Sequence, residues 1–250
     1  MSDTGVTDVL VATDLEVLQD HRPLLPPTSL TLEPGEVGIA IGDSDAAQEA
    51  LALALAGRLR LESGSVRLGG DADPGLLRAA VALVDVPNVS APDPHVPFAT
   101  IVSEELAMAG RDYGFRAVRD WFEERGLADQ RHLAWGLVEP LVAIRTLGEM
   151  AISRPGVRHL VLVRPERHGL ATSQWMPVAT ALTGTSDDEH RRGVLVTVSG
   201  AVATEAEATC IIGGARREVG PDAEASEPEH AADPGGPHPA HRADQTRSRS

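Results

Sequence analysis

Gly42-Asp43-Ser44-Asp45 links an unbroken apolar run, Val37 to Ile41, to an Ala/Leu-rich stretch from Ala46 to Arg60. Where a strand ends on glycine and turns at once into a helix, free backbone amides and the positive end of the helix dipole meet, and phosphate is drawn there. Phosphate loops of the form G-x-x-x-x-G-K-[ST] add a second glycine for close approach, a lysine for charge and a hydroxyl for magnesium. Laid over Gly42, that pattern puts the second glycine on Ala47, the lysine on Gln48 and the hydroxyl residue on Glu49. Ala47 brings a Cβ where glycine lets backbone approach phosphate. Asp43, Asp45 and Glu49 bring carboxylates. At about 4 Å, each carboxylate–phosphate pair costs roughly 1 kcal/mol in water-like surroundings and about 4 near a protein surface. Every ~1.4 kcal/mol is tenfold in affinity. All 22 residues counted as Lys+Arg are arginine, so no lysine elsewhere can supply the missing ammonium. The same segment makes a good helix start. Asp43, Ser44 and Asp45 are N-cap candidates, and their charge complements the dipole that otherwise attracts phosphate.

The elements that must position this loop alternate in type. Ser29-Leu30-Thr31-Leu32 alternates polar and apolar, as a half-buried strand does. A Pro-rich turn is expected at Pro23, Pro26 and Pro27, and a tight turn at Pro34-Gly35-Glu36. Ser65 to Leu68 alternates again. Val81–Val84, Leu160–Val163 and Val194–Val196 are short apolar runs suited to strands buried on both faces. Leu76 to Ala80 reads as helical, Ser90 to Pro97 as a loop, and the block from Thr100 to about Ser153 as helices. Strands alternating with helices imply an α/β fold with a mostly parallel sheet.

Composition bounds the partners. The formal net charge of -15 excludes nucleic acid, whose phosphates are bound through Lys and Arg. The single cysteine, Cys210, excludes an internal disulfide and a multi-Cys metal site. No apolar run is long enough to span a bilayer. The polar, acidic start, Met1-Ser2-Asp3-Thr4, is unlike a signal peptide, so the expected compartment is the cytoplasm. Residues 221–250 are rich in Pro, Ala, Glu and His and are expected to be disordered. His230, His238 and His241 there are too loosely spaced to frame a metal.

Taken in order, several segments resemble the ATP-binding subunit of ABC transporters. They are Ser29 to Glu36, the apolar strand ending at Gly42, Leu55-Ala56-Gly57-Arg58-Leu59, Glu62 to Gly70, and Val102-Ser103-Glu104-Glu105-Leu106. The resemblance runs from about Leu10 to Gly220. It implies a P-loop NTPase-like ABC cassette over residues 8–220, with a mostly parallel core sheet, N-terminal antiparallel strands and an α-helical subdomain at about 100–150. By the same resemblance ATP and magnesium are the cofactors. A transmembrane permease subunit and a homo- or hetero-dimeric cassette partner are expected, and with them a peripheral place on the inner face of the membrane.

Laid on the family's motifs, the chain departs at each chemical position. The magnesium-side aspartate that follows Leu160–Val163 falls on Arg164, and the catalytic glutamate on Pro165. The signature falls on Leu137 to Leu141, with Val138, Glu139 and Pro140 at its centre. The switch histidine falls on Ser199 or Val198, the Q-loop glutamine on Val86 or Asp85, and the adenine-stacking aromatic near Gln19. Both magnesium-ligand positions, Glu49 and Arg164, are now charged with opposite sign, so an ion pair between them is expected in place of the metal. Glu139-Pro140 also reads simply as a turn before a helix beginning near Leu141. The expected function is a pseudo-ATPase acting as a binding or regulatory module for a membrane permease or another cassette subunit. Two alternatives stay open: an active ATP-dependent transporter subunit with unconventional nucleotide contacts, and a soluble interaction protein that keeps only the fold.

Overall fold

The computed structural model describes residues 8–184, 191–202 and 208–214. The C-terminal tail, with its three histidines, lies outside the described residues.

A three-stranded antiparallel sheet is built from β1 (Leu10–Gln19), β2 (Arg22–Leu32) and β4 (Ser63–Leu68) in the order β2-β1-β4. The expected Pro-rich turn is a correction: Pro23, Pro26 and Pro27 lie inside β2, at the edge of the sheet. An edge strand tolerates proline because a ladder bond is needed on one side only. The hairpin turns instead at Asp20 and His21, both in the left-handed region (φ 50° and 61°), the backbone a tight two-residue hairpin requires.

The core sheet is parallel, in the order β5-β6-β7-β3-β8, from β3 (Val37–Ile41), β5 (Val81–Val84), β6 (His159–Val163), β7 (Gly193–Val198) and β8 (Cys210–Ile211). Its apolar runs are buried on both faces. Val81, Leu83, Val161, Val163 and Leu195 pack toward α1 (Asp45–Leu55), α2 (Pro74–Ala80) and the antiparallel sheet. Ala82, Val84, Leu160, Leu162, Val194 and Val196 join the core shared with α3 (Phe98–Met108), α5 (Pro140–Ile152) and α6 (Thr172–Leu182). The strands therefore read as continuous hydrophobic runs rather than alternating ones.

The block expected to be helical from Thr100 to about Ser153 holds α3, α4 (Phe115–Glu124) and α5, joined by turns and loops at 109–114 and 125–139. An aromatic knot holds them: the Phe98 ring lies 4.8 Å from Phe122, 5.3 Å from Trp135 and 6.1 Å from Trp121, each edge to face. Among the described residues no helix is long and apolar enough to cross a membrane.

Candidate functional site

Parallel α/β sheets bind their ligands beyond the carboxyl ends of the strands. Here the ends of β3, β6 and β7 bring three segments together: the loop 42–45, the turn 164–168 and Ser199-Gly200.

Ser44 is the N-cap of α1. Its Oγ accepts from the Ala47 amide at 3.3 Å, and Asp45 stands in the first turn. Gln48 is fully buried, and its Nε2 donates to the Gly42 carbonyl at 2.5 Å. The side chain thus folds back beneath the loop rather than reaching outward, leaving its Oε1 buried without a partner. A Cβ at Gly42 would meet the tip of the Ile212 side chain, Cδ1, at 2.8 Å, so Ile212 would have to shift to admit one. Ala47 is buried against the core, and Asp43 lies against Gly200, where an added Cβ would meet its Oδ1 at 2.3 Å.

Arg164 leaves β6 in the left-handed region (φ 53°), and its amide donates to the Thr197 carbonyl. The expected Glu49–Arg164 pair is not made. Arg164 Nη1 meets Asp45 Oδ2 at 2.5 Å, and Glu49 makes no ion pair among the described residues. The reason is helical geometry. Asp45 opens α1 at the loop, whereas Glu49 stands a full turn, about 5.4 Å, further along. Pro165 is buried at the start of a short 3-10 turn, Pro165–His168, and offers no proton acceptor. Glu166 Oε1 accepts from the Ser199 amide at 2.8 Å. Val138 is buried, Glu139 is exposed at the N-cap of α5 without a side-chain bond, and Pro140 is the first helical residue, as the simple turn reading expects.

Sequence reasoning gave no role to Glu166, Arg167 or His168, and considered Asp85 only by position. All four are bonded in the structure. Arg167 Nη2 reaches both the Asp85 carbonyl at 2.7 Å and Oδ1 at 2.8 Å, and His168 Nε2 lies 2.6 Å from Asp85 Oδ2. The available signal was the charge run Arg164-Pro165-Glu166-Arg167-His168 directly after a buried strand.

No family model matches the sequence, and neither does any curated protein. Solved structures do match the fold. One described as the ATP binding subunit of an ABC transporter is 15% identical, covering 76% of this chain and 79% of that chain, with a TM-score of 0.53. A putative ABC transporter ATP-binding protein from Pyrococcus furiosus is 14% identical, covering 78% and 94%, with a TM-score of 0.54. The chain has an ABC-cassette fold.

Proposed function

We propose that this cassette does not hydrolyse ATP and acts as a binding or regulatory module for a membrane permease or another cassette subunit, at the inner face of the membrane. The carrying observation is the Asp45–Arg164 pair at the start of α1. A helix N-terminus that would attract a phosphate already faces a carboxylate of its own, and that carboxylate is neutralised by an arginine from β6. The residues present do not fit a magnesium nucleotide. Gln48 spends its donor on the Gly42 carbonyl, Arg164 adds a cation at one expected metal position, and Pro165 cannot act as a base.

The helical subdomain supports the partner role. Met108 is 55% exposed, Tyr113 58% and Phe115 78%, three large apolar side chains within eight residues of chain at the end of α3 and the start of α4. A permease contact would cover them.

Direct titration of the full chain with Mg-ATP tests the reading. The expected result is no saturable binding at millimolar nucleotide and no phosphate release. Micromolar binding, or turnover abolished by Glu49→Gln, overturns it in favour of an active subunit with unconventional contacts. Steady recovery from cells without any membrane protein favours a soluble interaction protein that keeps only the fold.

A further inference from the structure

The turn Pro165–His168 also serves a second cluster. Asp85 follows β5 in the left-handed region (φ 59°) and is only 5% exposed. That backbone is strained for a residue with a Cβ and persists only where its surroundings fix it. Arg167 fixes it through the Asp85 carbonyl and Oδ1, and His168 through Oδ2. His168 Nε2 thus sits between Asp85 Oδ2 at 2.6 Å and Arg167 Nε at 3.0 Å, which closes the cluster.

This cluster forms one wall of a cleft of about 350 Å³, lined elsewhere by Pro92, Pro94, Trp135, Val138, Ile144 and Leu147. An apolar chamber of that size with a few convergent polar groups, at the carboxyl end of a parallel strand, is the usual form of a small-molecule site. Its unused hydrogen-bonding capacity is that of a donor. Asp85 and Arg167 balance each other's charge, and both Asp85 oxygens already hold partners. Arg167 uses Nη2 on Asp85, while its Nη1 makes no hydrogen bond among the described residues. Arg167 lines the cavity, so the two hydrogens of Nη1 remain as donors beside its apolar wall.

We propose that this cavity binds a small amphipathic anion, with its carboxylate on Arg167 Nη1 and its apolar body against Trp135, Ile144 and Leu147. The site is independent of the nucleotide reading above and stands whether or not ATP binds at α1. It uses no residue of the Asp45–Arg164 pair.

Calorimetric titration of the full chain with octanoate, octanamide and octylamine tests it, because the three share a chain and differ in charge. Octanoate should bind one saturable site, octanamide about tenfold more weakly for want of the charged hydrogen bond, and octylamine not at all. Ala143→Phe, at a half-buried position on the cavity wall, should abolish octanoate binding while the chain stays folded by circular dichroism. Arg167→Gln should bring octanoate down to the affinity of octanamide. Should that variant fail to fold, Ala143→Phe alone decides. Absence of saturable octanoate binding, equal binding of octanoate and octylamine, or full octanoate binding in Ala143→Phe each overturns the proposal.

Discussion

Arg164 Nη1 stands 2.5 Å from Asp45 Oδ2 and ties the end of β6 to the first turn of α1. The arginine side chain is 17% exposed and the aspartate 65%, so water screens one partner well. Such a pair is worth on the order of 0.5–1 kcal/mol. Asp45→Ala removes it together with a first-turn anion that favours the helix dipole. Asp45→Ala should lower stability by about 1 kcal/mol in urea unfolding. Arg164→Gly should lie within about 1 kcal/mol of the parent, because glycine relieves the left-handed backbone while the ion pair is lost.

Gln48 offers a sharper contrast. Its Nε2 donates to the Gly42 carbonyl in a fully buried setting. Gln48→Glu replaces that donor with a carboxylate facing a carbonyl oxygen, and should cost more than about 2 kcal/mol at neutral pH. The loss should shrink at pH 4, where protonation restores a donor. Gln48→Leu should cost less, since it removes the unpartnered Oε1 as well as the bond. Urea midpoints of the two variants at both pH values check the order.

His159 is fully buried at the start of β6, with Nε2 at 2.6 Å from the Asp8 carbonyl and Nδ1 unpartnered. Burial, above all, pushes its pKa below the ordinary value, and the neighbouring Asp8 only partly opposes this. The sign follows. Below about pH 6.5 the unfolded chain takes up a proton that the folded chain resists, so stability is full above that pH and falls as pH drops. This group can contribute a slope of up to about 1.4 kcal/mol per pH unit. Chemical unfolding between pH 7.5 and 5.5 should show the slope in the parent and a shallower one in His159→Gln.

Much of this architecture was legible in the sequence, for a physical reason. Val37–Ile41, Val81–Val84 and Leu160–Val163 lie in a sheet buried on both faces, so their apolar character is continuous and easily seen. The loop at Gly42 and the N-cap at Ser44 carry local chemistry that does not depend on distant parts of the chain. The edge position of Pro23, Pro26 and Pro27 was not legible, because proline marks a turn and an edge strand alike. Nor was the choice of Asp45 over Glu49 by Arg164, since sequence fixes charges but not which helical turn a side chain from another strand will meet. The Asp85 cluster joins residues 82 and 83 positions apart, beyond the reach of any local pattern.

Cys210 is 8% exposed on β8, and burial pushes its thiol pKa up to about 12. Thiolate is the reactive form, so the folded chain should be inert to a disulfide reagent at pH 8. One thiol should be titrated only after denaturant unfolds the protein. Rapid labelling of the native chain would mean that β8 detaches readily from β3.

Phe98 and Phe115 are the same residue type, each beginning a helix of the helical subdomain, and should behave oppositely when truncated. Phe98 is fully buried, with three aromatic rings around it. Phe98→Ala removes that packing and leaves a cavity, at a cost of about 3–5 kcal/mol. Phe115 is 78% exposed, so Phe115→Ala should stay within about 0.5 kcal/mol of the parent. If the exposed Met108, Tyr113 and Phe115 form a contact with a permease, Phe115→Ser should leave the melting temperature unchanged and lower the share of the chain recovered with membranes. Equal recovery of parent and variant would separate Phe115 from any membrane partner while leaving the aromatic knot, and the stability it confers, untouched.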